Sequence, residues 1–201
     1  GALARPDGAA VLALARKIAE DTGMVVEGWN GFNMLHTAAA RVGGMELGFV
    51  PGDGGRDVEG ILAGAESGAV EIVYLLGADE IDTARLAKAF VVYQGHHGDR
   101  GAECADVILP GAAYTEKNAL YVNTEGRAQR ARLSHFPPGE AREDWKILRA
   151  LSAALDATLP YDTLEQLRAR LESASPVFGA YDRIVPADWG TFGTEGELDT
   201  A

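Results

Sequence analysis

One stretch limits what this chain can fold into more than any other: Glu71-Ile72-Val73-Tyr74-Leu75-Leu76. Behind a single charge it is an unbroken apolar run, too short for a helix and too apolar for a strand with one wet face. Such a run reads as a strand buried on both faces, the condition of a parallel sheet whose crossovers cover it. Gly77-Ala78-Asp79 ends it. The segments around it alternate between helical and strand periods. Asp57 is placed to cap a helix with Val58, Ile61, Leu62 and Ala65 inward, and Asp82 to open a shorter helix through Ala89. Phe90 to Tyr93 and Val107 to Leu109 read as further strands, and Leu47 to Val50 as an extended piece stopped by Pro51-Gly52. The middle of the chain therefore reads β-α-β-α-β, with crossovers of a length suited to parallel pairing.

The two ends read differently. Pro6 and Asp7 open a helix with Val11, Leu14, Ala15 and Ile18 on one face. Met24 to Glu27 is a short strand, and Asn33 to Val42 a second helix ended by Gly43-Gly44. Past Pro110, Ala119 to Asn123 and Arg127 to Ala131 flank Thr124-Glu125-Gly126 as an antiparallel hairpin. Pro137-Pro138-Gly139 leads into a helix with Ala141, Trp145, Leu148, Ser152 and Leu155 on one stripe. A last helix opens with a capping box of Asp162 and Glu165 and buries Leu164, Leu167 and Leu171. From about Ser175 the chain turns irregular and acidic, and a peripheral or partly disordered tail is expected. The expected fold class is α/β, a doubly wound, mostly parallel sheet with an added β-hairpin and C-terminal helices. The expected division is 1–135 for the α/β part with its hairpin, 136–174 for the helical extension and 175–201 for the tail.

Charge and cysteine content narrow the chemistry. The 201 residues carry a formal charge of −12, which disfavours nucleic acid and anionic membrane surfaces as partners. No apolar run reaches the length of a membrane span, and no charged-then-apolar leader is visible. The first residue is Gly1, which reads as an excised or processed end. The single cysteine, Cys104, cannot form an internal disulfide or supply the ligands of an iron–sulfur cluster, and it fits a reducing, intracellular setting.

Several local patterns suggest sites, and each has a plainer reading. Gly52-Asp53-Gly54-Gly55-Arg56-Asp57 resembles a phosphate-binding loop, yet Asp57 stands where a third glycine belongs and two aspartates would repel phosphate. A flexible turn capped by Asp57 is the plainer account. His96, His97 and Asp99 follow a strand, where α/β folds place their sites, but adjacent side chains on extended backbone point to opposite sides and rarely reach one ion. His36 reads as a hydrogen-bonded core or interface histidine within a helix. No G-x-S-x-G elbow exists. Glu103 and Asp106 would raise the Cys104 pKa and work against a nucleophilic thiol. Glu116, Asn123, Glu125 and Arg127 could form a hydrogen-bonded buckle that fixes the hairpin on the sheet.

Ala105-Asp106-Val107-Ile108-Leu109-Pro110-Gly111, followed by Thr115-Glu116-Lys117 and Asn123-Thr124-Glu125-Gly126-Arg127-Ala128-Gln129, resembles the pattern of the molybdopterin oxidoreductase superfamily. The full stretch from Phe90 to Gln129, with Tyr93-Gln94-Gly95-His96-His97-Gly98-Asp99 inside it, is similar to one branch. That branch is the large iron–sulfur subunit of respiratory complex I, in its bacterial and mitochondrial forms. The likeness continues through 137–151, 159–164, 29–44 and 75–79.

The resemblance implies a peripheral-arm protein of a proton-pumping, membrane-associated NADH:quinone oxidoreductase. The complex carries electrons from NADH to quinone. Its 4Fe-4S and 2Fe-2S clusters, held by cysteines and one histidine, would lie in an N-terminal part of the parent subunit, and none of those motifs occurs here. The resemblance therefore implies no catalytic residue, no metal ligand and no cofactor in this segment. It implies a scaffold without activity of its own that meets the cluster-bearing domains and other peripheral-arm subunits, with neither nucleic-acid binding nor direct membrane insertion. The location implied is the cytoplasmic face of a bacterial inner membrane, or the matrix side in a eukaryote. The rival expectation is a retained pterin or guanine-nucleotide pocket near Gly77, Ala78, Asp79, His96 and Asp106. A second rival is an interaction module unrelated to respiration.

Overall fold

A computed structural model describes residues 1–2 and 5–183. Its centre is a three-stranded parallel sheet of β3 (Ile72–Leu76), β4 (Phe90–Gly95) and β5 (Val107–Pro110), in the order β3-β4-β5. Two antiparallel hairpins stand apart from it: β1 (Val25–Val26) with β2 (Trp29–Asn30), and β6 (Ala119–Val122) with β7 (Ala128–Ala131). The helices are α1 (Gly8–Asp21), α2 (Arg41–Glu46), α3 (Val58–Ser67), α4 (Arg100–Cys104), α5 (Asp144–Ala154) and α6 (Leu164–Ala174). The class is α/β with a parallel sheet and added hairpins, as expected.

The first core lies on one face of the sheet. α3 begins where the Asp57 carboxylate accepts from the Gly60 N–H at 2.8 Å, and ends at Gly68 in the left-handed conformation (φ 80°). It lays Leu62 and Ala65 against Val73, Leu75, Val91 and Tyr93. Leu86, from the 3-10 turn Thr83–Leu86 that Asp82 caps, completes the cluster at 1% exposure. Arg85 grips Glu59 and Glu66 at 2.8–2.9 Å and so clamps this turn to α3. Strand order follows chain order, and right-handed connections then put both crossovers on the same face.

The opposite face carries Ile72, Leu76, Phe90 and Val107, all at least 38% exposed. Burial of β3 on both faces, as its apolar run predicts, is therefore not achieved among the described residues. Tyr74 and Gln94 are the part of this face that is covered, by the start of α5.

The second core joins the β6–β7 hairpin to the end of the described chain. Val122, Ala128 and Phe178 are buried together, with Val42 of α2 and Leu171 of α6 beside them. The first residues assigned to the tail, 175–183, thus pack on the hairpin, and the rest of the tail expectation lies outside the described residues. Ser175 accepts from the Val177 N–H and reaches Glu46 at 2.5 Å.

Four local expectations need correction. Asn33 to Ala40 is not helical; the helix starts at Arg41 and runs through Gly43-Gly44, where α2 packs on Val122 of the hairpin. His36 consequently sits half-buried on irregular chain. Leu47 to Val50 forms no strand: Leu47 and Gly48 close α2, with Gly48 at φ 68°. The capping box of α6 is Thr163 with Gln166, one residue later than read, since Asp162 is engaged by Arg149 at 2.7 Å. Val58 and Leu155 face outward, at 57% and 66% exposure.

Candidate functional site

Parallel sheets present their chemistry beyond the carboxyl ends of the strands. Here those ends are shaped by glycine. A Cβ on Gly95 or on Gly101 would overlap the Tyr93 ring, so these positions admit the ring only without side chains. Gly111 donates to the Gly95 carbonyl at 2.8 Å, and a Cβ there would stand 3.0 Å from Asp144. Gly95, Gly101 and Gly111 are thus mainly packing devices that let β4, β5, α4 and α5 converge. Beside them lies a cleft of about 500 Å³ lined by His96, His97, Glu116 and Glu140 with Pro110 and Pro138.

Two imidazoles meet at this cleft. The His96 and His97 rings are 4.3 Å apart, edge to face. The chain bends after Gly95, so the two side chains do not diverge as extended backbone would make them. Loss of hydration, followed by the nearby His97 and Lys117, lowers the His96 pKa from its ordinary value, although the residue as a whole is exposed; Asp144 and Glu116 oppose the shift. Glu116 accepts from the Ala113 N–H at 2.9 Å and faces His135 Nε2 at 3.4 Å. Among the described residues no group of three or more His, Cys, Asp or Glu side chains is arranged to hold a metal ion.

Beneath the cleft runs a chain of polar contacts. The Tyr74 hydroxyl reaches Gln94 Oε1 at 2.5 Å, Gln94 Nε2 donates to Asp144 Oδ1 at 2.9 Å, and Lys117 Nζ meets Asp144 Oδ2 at 2.5 Å. Gln94 is fully buried, so an unpaired amide there would be costly, and each end of it is partnered. Glu143 continues the tie: its carboxylate accepts from the Asn118 N–H, the Trp145 indole and Lys146. Burial alone would push the Glu143 carboxyl up, but these donors outweigh it and hold it below the ordinary glutamate value. Sheet, hairpin and α5 are thereby joined in one network. Glycine spacing gives no hint of it, because Gln94 and Asp144 are fifty positions apart. The buckle is only local: Asn123 Oδ1 accepts from the Glu125 and Arg127 N–H groups and closes the hairpin turn, while Glu116 lies elsewhere.

The remaining candidates separate. Gly77 donates to the Gln94 carbonyl at the end of β3, and Ala78 follows it. Asp79 accepts from the Gly101 N–H and lines a different, acidic depression with Asp82, Asp99 and Glu103. Asp106 stands at the other end of the sheet, where its carboxylate accepts from the Val91 N–H at 2.8 Å. The structure does not bring Asp106 to His96. Cys104 packs against the first core, and burial, ahead of Asp79, Asp106 and Glu103, raises its thiol pKa, which suits an inert side chain. Asp57 caps α3, as the plainer reading of the Gly52–Asp57 loop has it.

Comparisons with known proteins agree with this architecture. The family described as molybdopterin oxidoreductase matches residues 1–154. The NADH-ubiquinone oxidoreductase 75 kDa subunit of Reclinomonas americana is 48% identical over 176 residues, 87% of this chain and 25% of that protein. The mitochondrial NADH-ubiquinone oxidoreductase 78 kDa subunit of Candida albicans is 54% identical over 79% of this chain and 21% of its own length. A bacterial counterpart, an NADH-quinone oxidoreductase subunit of Rickettsia felis, is 41% identical over 98% of this chain and 28% of its own. The chain therefore spans 21–28% of the length of these relatives. Among solved structures, acetylene hydratase from Pelobacter acetylenicus superposes with a TM-score of 0.50 at 16% identity, over 59% of this chain and 18% of the other, a likeness of fold alone. The matched residues include the whole parallel sheet and its glycine-shaped strand ends: the chain belongs to the molybdopterin oxidoreductase family, with subunits of NADH-quinone oxidoreductase as its relatives.

Proposed function

We propose that this chain is a C-terminal, structural part of the large iron–sulfur subunit of NADH:quinone oxidoreductase, and that it works as a cofactor-free scaffold and contact domain. The observation that carries the proposal is sequence identity of 41–54% to subunits of that complex. Two structural features support it. Gln94, Lys117, Glu143 and Asp144 are consumed in ties between sheet, hairpin and α5. Large apolar side chains stand open on α1 and on the far face of the sheet, as a surface meant to be covered would have them.

In this reading electrons pass from NADH to quinone through 4Fe-4S and 2Fe-2S clusters outside these residues. The neighbours are the cluster-bearing domains of the same subunit and other peripheral-arm subunits. No described helix is long and apolar enough to cross a membrane. The arm would lie on the cytoplasmic face of a bacterial inner membrane, or in the matrix of a eukaryote. Residues 1–135 would form the α/β body, 136–174 its helical extension and 175–201 its tail.

The test is spectroscopic and compositional. The purified 201-residue chain is expected to show no visible charge-transfer absorption and no stoichiometric iron or molybdenum. Immobilised, it is expected to retain the other peripheral-arm subunits. A bound cluster, molybdenum or pterin held by these residues would overturn the scaffold reading. Failure to retain any such subunit would overturn the contact role.

A further inference from the structure

Four asparagines occur in the chain, and one of them, Asn30, is followed by glycine. Asn30 ends the two-residue strand β2 and is exposed. Its side-chain Oδ1 accepts from the Phe32 N–H at 3.1 Å. Such a turn folds the carboxamide back along its own main chain. The donor also stands where negative charge would develop on Oδ1 if the Cγ carbon were attacked. The attacking atom is the Gly31 nitrogen, and without a Cβ this residue leaves the approach unhindered.

One restraint opposes the attack. The Gly31 N–H donates to the Met24 carbonyl at 2.7 Å, so the nitrogen is held in the β1–β2 hairpin. That hairpin pairs only Val25 with Asn30 and Val26 with Trp29, and neither hydrophobic cluster includes any of its residues. Hairpins of this size are marginal in water and open readily. Asn123 provides an internal contrast. Its Oδ1 accepts from the Glu125 N–H, also at 3.1 Å, but a second bond from the Arg127 N–H at 2.9 Å fixes it, and the next residue is the branched Thr124. Its hairpin carries four residue pairs.

We propose that Asn30-Gly31 is a self-modifying site, latched by the β1–β2 hairpin. When the hairpin opens, the Gly31 nitrogen gives its proton to hydroxide and bonds to Asn30 Cγ. The Cγ–Nδ2 bond breaks, and Nδ2 takes a proton from water and leaves as ammonia. The product is a cyclic imide. Water then opens either carbonyl of the ring, giving aspartate or isoaspartate, with no oxidant or reductant involved. In isoaspartate the main chain runs through Cβ and Cγ and so gains a carbon before Gly31. The pairing of Val25 with position 30 cannot then be remade, and the latch stays open.

The test incubates the full 201-residue chain across a range of mildly alkaline pH. Mass spectrometry of its peptides follows loss of the amide, with fragmentation that separates aspartate from isoaspartate. Asn30 is expected to convert several-fold faster than Asn33, Asn118 and Asn123, with a rate that rises with pH. Gly28→Val places a branched side chain at φ 79° in the hairpin turn, and is expected to open the latch and speed conversion several-fold. Gly31→Ala is expected to slow conversion several-fold, although its Cβ would stand 2.8 Å from the Met24 carbonyl and loosen the same hairpin. An Asn30 as durable as Asn123 would overturn the proposal. A rate that ignores Gly28→Val would overturn the latch, and a rate that Gly31→Ala leaves unchanged would overturn attack by the Gly31 nitrogen.

Discussion

α1 and α3 begin as similar objects and end in opposite surroundings. Each is an amphipathic helix with an apolar stripe at helical spacing. In α3 the stripe is spent: Leu62 is 5% exposed and Ala65 is fully buried. In α1 it is open: Leu14 is 61% and Ile18 52% exposed, while Arg16–Glu20 and Lys17–Asp21 pairs decorate the polar side. α3 immediately precedes β3 and falls on the sheet face that the crossovers also occupy. α1 leads only into the small β1–β2 hairpin, and neither hydrophobic cluster includes it. A stripe states that something must cover it; the connection that follows decides whether this chain supplies the cover. The open sheet face teaches the same lesson, for Ile72 and Phe90 are as apolar as their buried neighbours Val73 and Val91.

This contrast can be broken by substitution, and the strongest blow falls on the α3 side. Leu86→Ala empties a site with 1% exposure and is expected to cost about 2–5 kcal/mol in denaturant unfolding. A cost near zero would mean that the first core is not the stabilising one. Next comes Gly101→Ala, which drives a methyl into the Tyr93 ring and is expected to cost about 1–3 kcal/mol by overpacking. Thermal unfolding of this variant, set beside a neutral Gly98→Ala, where nothing lies within 4 Å, checks the claim that the strand-end glycines serve packing.

The third effect depends on pH. Glu143 has its carboxyl pKa held below the ordinary value in the folded chain, so it contributes stability above the unfolded glutamate pKa. That contribution is lost as pH falls through the lower, folded value. Glu143→Gln is therefore expected to flatten the acid limb of a stability-against-pH curve, and an unchanged limb would remove Glu143 from the network. The smallest effect belongs to α1. Leu14→Ala is expected to change stability by no more than about 0.5 kcal/mol, because the side chain is already in water. If instead it costs as much as Leu86→Ala, α1 is packed and the comparison fails. Leu14→Asp sharpens the point: unfolding of the isolated chain should stay the same, while retention of peripheral-arm subunits should drop.

Much of the fold was legible because its signals are local. The Asp57 cap, the 71–76 run, the β6–β7 hairpin and the α5 stripe are each set by residues close together in sequence. The errors fell where a short segment answers to distant neighbours. Arg41–Glu46 is helical across two glycines because it packs on Val122 of the hairpin, and no local propensity reports that. The candidate site was legible in part. His96 and the glycines were visible as a pattern, whereas the Tyr74–Gln94–Asp144–Lys117 chain was not, since its members come from four separate segments.

By itself, then, the sequence determined which segments are helix or strand in the central body, that the sheet there is parallel, and that one thiol leaves no cysteine cluster for iron. These follow from periodicity, capping and composition, which act over a few residues. Only the tertiary structure decided which apolar faces are covered, that Asp106 and His96 sit at opposite ends of the sheet, and that Gln94, Asp144 and Lys117 are spent on one another. Such outcomes depend on which remote segments meet, and burial and hydrogen bonding give their free energy only to groups that have met.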